Sequence, residues 1–348
     1  MDPDTTLELV KQGVTLLLLD VPQYTLLGID TQMFSVGPAF KGIKMIPPAS
    51  HFLYYSSSTR DGKDFSPIIG FFIHAAPSEV IVRRWDQQQE RLVKVSEEEE
   101  ERYCQAVKSL EFDRQLGPYN LSQYGDWKHL SNYITKSIIE RIEPIGGEIT
   151  VACESGIVTN APKTTMEKAL DEQMKSSKFL TSLDNPQSRR CYYTSIPRVI
   201  KQKGIHGQEL TSLNIDKTQL LESLLTKDYG GSEDVLLGEL QFAFIAFLMG
   251  QSLEGFLQWK ALVNLLFGCI EAPFRTRTQL FTKDFFSLML DASSVDGHLL
   301  SWTRKLKELL GNNLEWVFQL NSAVDGIYFE EDDEFAPVVE MLDDPSCN

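Results

Sequence analysis

The stretch Asp234–Phe267, DVLLGELQFAFIAFLMGQSLEGFLQWKALVNLLF, is the most apolar part of the chain and limits most strongly what it can fold into. From Val235 to Met249 only Gly238, Glu239 and Gln241 are not hydrophobic. A helix that is apolar nearly all round has to be buried on nearly all sides. Ser232 reads as its N-cap, and Glu233 and Asp234 match the positive end of the helix dipole. Gly250 reads as the left-handed residue that stops it. A second helix then restarts, with Leu253, Phe256, Leu257, Val263, Leu266 and Phe267 at three- and four-residue spacing. The pair predicts a helical hairpin whose first arm is the hub of an all-helical domain. A membrane span needs roughly 20 apolar residues; this run is shorter and holds a carboxylate, which favours a core helix.

A chain of 348 residues has room for two domains. Its formal charge of −16 argues against a free-standing binder of bare nucleic acid and suits a basic protein partner. Five cysteines, widely spaced and without a CxxC pair, fit a reducing compartment rather than a disulfide frame or a zinc site. The acidic start Met1-Asp2-Pro3-Asp4 and the short apolar run Leu16–Leu19 do not make a signal peptide. No lipidation motif and no long basic nuclear-import run is present.

Read in order, the chain is α+β with two domains: a β-sandwich-like N-terminal domain with flanking helices, and an all-α C-terminal domain. Residues 1–154 form the β-rich part. Thr6–Gln12 reads as a short helix and Val14–Leu19 as a buried strand. Extended pieces follow at Tyr24–Ile29, Met33–Val36, Gly42–Ile46, His51–Ser56, Ile68–Ile73 and Val80–Trp85, with Gly and Pro between them, the rhythm of a sandwich or barrel. The five glutamates Glu97–Glu101 read as a first helical turn capped by Ser96 rather than as an acidic binding tract. That helix is expected to run through Tyr103, Val107, Leu110 and Leu116 to Gly117-Pro118. Another is expected over Ser122–Ile142, with Tyr124, Trp127, Leu130, Ile134 and Ile138 on one face. Residues 155–190 form a polar linker, and residues 191–215 an extended segment returning to the N-terminal domain. Residues 216–323 form the helical domain, opened by Asp216 as cap and closed by segments at Thr278–Leu290, Leu299–Leu310 and Trp316–Leu320. Residues 324–348 form an acidic tail.

The motifs of enzymes are missing. Gly37–Gly42 has the glycine spacing of a phosphate loop, but Ile43-Lys44 follows where Lys and a hydroxyl residue are needed. No dinucleotide fingerprint, nucleophile elbow or HExxH occurs, and the five histidines never stand at ligand spacing. His51, beside Phe52, Tyr54 and Tyr55, reads as a hydrogen-bonded strand residue. A Cys–His nucleophile pair is not favoured by any pattern. No cofactor and no metal is expected. The tail holds the best interaction signal: Phe335-Ala336-Pro337-Val338-Val339, continuing into Glu340 and Met341, is a β-prone patch in a charged segment. Such a patch either adds as a strand to a partner's sheet edge or stays a solubilising tail; composition alone leaves both open. Pro337 restricts a pairing to one in which its missing N–H faces outward.

Several blocks resemble a known family. Gly28–Ser56 (GIDTQMFSVGPAFKGIKMIPPASHFLYYS), LGPYN with WKHLSNYI within Leu116–Ile134, Asp234–Gly250 with QWK at Gln258–Lys260, and FAPVVE at Phe335–Glu340 resemble the Aar-two splicing-factor family. The blocks span both domains in order. The resemblance implies a non-enzymatic assembly factor for the U5 small nuclear ribonucleoprotein, found in nucleus and cytoplasm. Its implied partners are the spliceosomal scaffold Prp-eight, bound through RNase-H-like and Jab/MPN-like domains, and other U5 proteins, with no direct nucleic acid and no membrane. It implies that the factor blocks premature helicase and RNA binding and is later released, with phosphorylation as the trigger. It also implies that the tail, here Phe335 to Met341, pairs as an added strand. One departure stands out: after Gln279–Lys283 the chain runs straight into DFFSLML, where relatives are expected to carry a longer helical stretch. This reads as a shortened isoform of a plant-like member, with apolar faces near Phe274 and Phe285 left exposed. The rival reading is a peptide-binding adaptor that uses the helical domain.

Overall fold

Period-two burial sorts the first part of the chain into two sheets, and the chain passes between them. The computed structural model describes residues 12–58, 65–151, 190–197, 200, 207–277 and 280. The strands are β1 Val14–Leu19, β2 Leu26–Ile29, β3 Gln32–Ser35, β4 Gly42–Ile46, β5 Ser50–Ser56, β6 Ile69–His74, β7 Val80–Asp86, β8 Arg91–Lys94 and β9 Leu116–Pro118. One sheet has the order β8-β7-β1-β4-β9 and the other β3-β2-β5-β6. The pairs β1–β7 and β4–β9 are parallel, so the first sheet is mixed. Seven of these strands lie within two residues of their expected ends. β8 and β9 are additions: each is short and lacks the apolar alternation that signals a strand.

Both sheets are covered on both faces. Leu16 and Leu18 of β1, Leu53 and Tyr55 of β5 and Ile73 of β6 share the core between the sheets. The alternate residues of β1, Leu17 and Leu19, face the other way and pack with Val82 and Val107. The alternate residues of the second sheet, Phe52, Tyr54 and Phe72, meet helices instead. β5 is therefore buried at every position from Ser50 to Ser56. Close packing of the ring of Tyr54 over the second sheet depends on Gly28, where any Cβ would collide with that ring.

The first helix, α1, spans Glu97–Lys108, and Ser96 Oγ accepts from Glu99 N at 3.4 Å, as the capping reading expects. It ends earlier than expected. Leu110 takes a left-handed φ of 64° and is exposed, and Leu116 belongs to β9, paired with Gly42. The single helix expected over Ser122–Ile142 is two, α2 Tyr124–Ser131 and α3 Lys136–Ile142. Thr135 adopts an extended conformation between them, and its hydroxyl accepts from Ile138 N to start α3. The break lets Trp127, Ile134 and Ile138 still reach one core, although they are no longer on one rod.

The helical region contains α4 Gln208–Ile215, α5 Thr218–Lys227, α6 Glu233–Leu248, α7 Leu253–Phe267 and α8 Ala272–Arg275. A helix at Gln208–Ile215 replaces the extended conformation expected up to residue 215. The N-cap position of α5 falls on Lys217 rather than on Asp216, but the Asp216 carboxylate just before it accepts from Thr218 N at 3.0 Å. The hairpin α6–α7 is present, but two details differ. Gln251, not Gly250, holds the left-handed φ of 55°. Ser232 makes no capping bond, whereas Ser252 accepts from Gly255 N at 2.9 Å and starts α7. The arms of the hairpin touch closely at Gly255, where an added Cβ would lie 2.9 Å from the Ala243 carbonyl oxygen. Phe242 of α6 stacks on Phe72 of β6 at 4.4 Å, so hairpin and second sheet share one core. No helix among the described residues is long and apolar enough to cross a membrane. The expected helix before Gln12, the linker before Arg190, the segments beyond residue 280, the side chain of Phe274 and the acidic tail lie outside the described residues.

Candidate interaction regions

The expected partner-binding strand, Phe335, Ala336, Pro337, Val338, Val339, Glu340 and Met341, lies outside the described residues. Two buried polar clusters fall inside them, one in each half of the family-like sequence.

The first cluster is built on the β2–β3 turn. Asp30 sits there with a positive φ of 56°, which Asp tolerates better than most residues, and is fully buried. One carboxylate oxygen accepts from Phe52 N at 3.0 Å. The other accepts from the Tyr119 hydroxyl at 2.6 Å and lies 2.6 Å from His51 Nδ1. His51 Nε2 lies 2.6 Å from the Pro47 carbonyl oxygen, which can only accept. Both ring nitrogens of His51 thus face an oxygen inside the protein. Burial, reinforced by the Asp30 charge, pushes the Tyr119 hydroxyl well above the usual phenol range. Stacked against Trp127 at 6.3 Å, His51 has no exposed surface. The strand-residue reading of His51 holds. Chemistry-bearing side chains meet here, but each is spent on an internal partner, and the group ties the β2–β3 turn to β5 and to the chain after β9.

The second cluster joins the hairpin to residues 190–197. Glu239, on α6, is fully buried. Its carboxylate accepts from Thr194 N at 2.8 Å, from the Thr194 hydroxyl at 2.7 Å and from Gln258 Nε2 at 2.7 Å. Gln258 Nε2 also donates to the Thr194 carbonyl oxygen at 2.9 Å. Arg141 of α3 donates to the Thr194 hydroxyl at 3.1 Å and to the Asp228 carbonyl oxygen at 2.8 Å. At the other end, Glu254 accepts from Cys191 N and from Arg190 Nε, both at 3.1 Å. Burial raises the Glu254 carboxyl above its usual range, against the opposing pull of the Cys191 N–H and the Arg190 charge. Tyr193 meets Phe242 edge-on at 6.0 Å.

Sequence reasoning missed this cluster. Glu239 stood out only as the carboxylate that spoils a membrane span. A lone carboxylate in a helix otherwise apolar all round carries a stronger message: buried, it needs donors from elsewhere. Which donors was beyond pattern reading, since Thr194 and Gln258 lie far from it in sequence.

Comparison with known proteins covers both clusters. A model described as the AAR2 N-terminal domain matches residues 12–144, and one described as the AAR2 C-terminal repeat region matches residues 193–288. A human protein named Protein AAR2 homolog is 31% identical over 279 residues, covering 76% of this chain and 72% of its own length. The protein of that name from Mus musculus is 31% identical with the same coverage. The one from Caenorhabditis elegans is 31% identical over 285 residues, covering 77% of this chain and 76% of its own. On residues drawn from both the sheet pair and the helical hairpin, the chain belongs to the AAR2 family.

Proposed function

We propose that this chain is a non-enzymatic assembly factor of the U5 small nuclear ribonucleoprotein that holds the scaffold protein Prp-eight during maturation. The observation that carries the reading is family membership across both regions, with 31% identity over most of the chain. The acidic charge of −16 is compatible with a protein partner and unfavourable for bare nucleic acid. Within this reading, residues 1–154 and 216–323 act as two domains joined by the linker 155–190, and both contribute contact surface. The tail strand Phe335 to Met341 adds to a sheet of the scaffold's RNase-H-like and Jab/MPN-like domains. The bound factor then keeps helicase and RNA away until release. It works in the cytoplasm and the nucleus.

Affinity purification from a cell extract, with this chain as bait and mass spectrometry as readout, tests the proposal. Recovery of Prp-eight with U5 proteins and without the helicase is expected. Failure to recover the scaffold, also after restoring a helical stretch next to Lys283, overturns it. Truncation after Tyr328 is expected to weaken scaffold capture in a titration; unchanged capture removes the tail from the mechanism.

A further inference from the structure

Residues 190–197 sit on the helical region in the way a bound peptide sits on a receptor. They form neither helix nor strand. Their backbone is held by groove groups: Tyr192 N donates to the Ile142 carbonyl oxygen at 2.8 Å, Cys191 N to Glu254, and Thr194 N to Glu239, while Gln258 donates to Thr194 O. The side chains divide between the helices and solvent. Tyr193 and Thr194 go inward, the first against Phe242 and the second onto Glu239, while Tyr192, Ser195 and Pro197 are exposed. The Ile142 carbonyl belongs to the last turn of α3, where helices leave acceptors over. None of these four anchors uses a hydrogen bond of the helix ladders, so lifting the segment leaves α3, α6 and α7 with their own bonds intact.

The chemistry of the groove is specific to a ligand rather than to packing. A hairpin that needed only a filled core would carry an apolar side chain where Glu239 stands, because a buried carboxylate is costly without donors. Its three geometric hydrogen bonds run to Thr194 or to Gln258, which itself holds Thr194, and the buried Tyr229 hydroxyl lies beside the same two groups. We propose that the groove between α3 and the α6–α7 hairpin is a binding site for an extended protein segment carrying an aromatic residue followed by Thr or Ser, occupied in cis by residues 190–197 and exchangeable for such a segment of a partner protein. The aromatic ring takes the place of Tyr193 on Phe242, the hydroxyl that of Thr194 on Glu239, and Gln258 and Glu254 hold the backbone. The proposal does not depend on the scaffold reading.

The test uses the full chain and a fluorescent peptide with the sequence of residues 190–197. In the variant Tyr193→Gly/Thr194→Gly the cis segment is weakened and the groove is untouched. The peptide is expected to bind this variant at least about tenfold more tightly than the unaltered chain, as read by anisotropy. Adding Glu239→Gln is expected to abolish that gain. Equal affinity for both chains, or binding indifferent to Glu239, overturns the proposal. Should the double variant not fold, hydrogen exchange on the unaltered chain decides. Amides of Cys191–Thr194 are expected to exchange at least about tenfold faster than those of Leu240–Ile245. Equal protection of the two overturns the exchangeable segment.

Discussion

Asp30 and Glu239 are both fully buried carboxylates, yet the protein neutralises them by opposite means. Asp30 is met by a titratable ring, His51, a hydroxyl and a backbone N–H, and two of the three donors come from the strand next to its own hairpin. Glu239 is met by neutral donors only, and two of its three bonds come from a single residue, Thr194, outside any helix or strand. The first arrangement is redundant, with three separate residues holding the carboxylate. The second stands or falls with one segment. A buried charge can therefore rigidify a turn in one half of a molecule and hold a detachable segment in the other.

The largest effect separating the two is expected from Asp30→Ala. It strands His51 and Tyr119 without their acceptor in a sealed site, and loss of one member of such a group costs about 3–5 kcal/mol. Urea unfolding should show this as a global loss of stability; a change within the noise would break the account of Asp30. Glu239→Ala comes next. It leaves Thr194 N and Gln258 short of an acceptor, about 1–3 kcal/mol for each group that stays dry. Because residues 190–197 can move aside and let water in, the loss should be smaller than for Asp30→Ala and should show first as faster amide exchange at Cys191–Thr194. A loss as large and as global as that of Asp30→Ala would erase the distinction.

The helix caps give a smaller contrast. Ser252→Ala removes a bond to Gly255 N and is expected to cost about 1 kcal/mol, whereas Ser232→Ala, which removes none, should stay within about 0.5 kcal/mol. Thermal melts of the two variants check this.

The smallest contrast lies in pH. Burial tends to raise the Asp216 carboxyl, but bonds from the Thr218 hydroxyl and the backbone N–H groups of Ile270, Thr218 and Glu271 outweigh it and hold the group below its usual range. Its contribution is present above the usual Asp range and is lost as pH falls through the depressed folded value. Glu254 runs the other way: its raised value means that its contribution is full below the usual Glu range and fades as pH rises through the folded value. Asp216→Asn should flatten the acid limb of a stability–pH curve, and Glu254→Gln should flatten the limb just above the usual carboxylate range.

The strands and the hairpin were legible because apolar residues alternate in one and crowd all faces of the other. Burial patterns are written in residue types, so Val14–Leu19 and Gly42–Ile46 could be placed to the residue. Helix ends were less legible. Leu110 has the spacing of a helix face, yet it is exposed in a left-handed conformation, and nothing local distinguishes it from Val107. Gly250 looked like the better stop than Gln251, but the chain reverses one residue later. Thr135 was a readable cap, hidden by the apolar rhythm on both sides of it. The Asp30 cluster was half visible, with His51 singled out and Tyr119 not, because Tyr119 is brought in by β9, too short to announce itself.

The contact between Phe72 and Phe242 also has a consequence in time. The two rings are about 170 residues apart in the chain, and the ribosome delivers the sheet long before the helix that covers it. At roughly 5–20 residues per second, the part of that face that Phe242 covers stays open for roughly 10–30 seconds of synthesis, with α2 and α3 emerging in between. During that interval the nascent chain carries an apolar patch that α2 and α3 leave incompletely covered, and its safety depends on whatever the cell holds over it until α6 emerges.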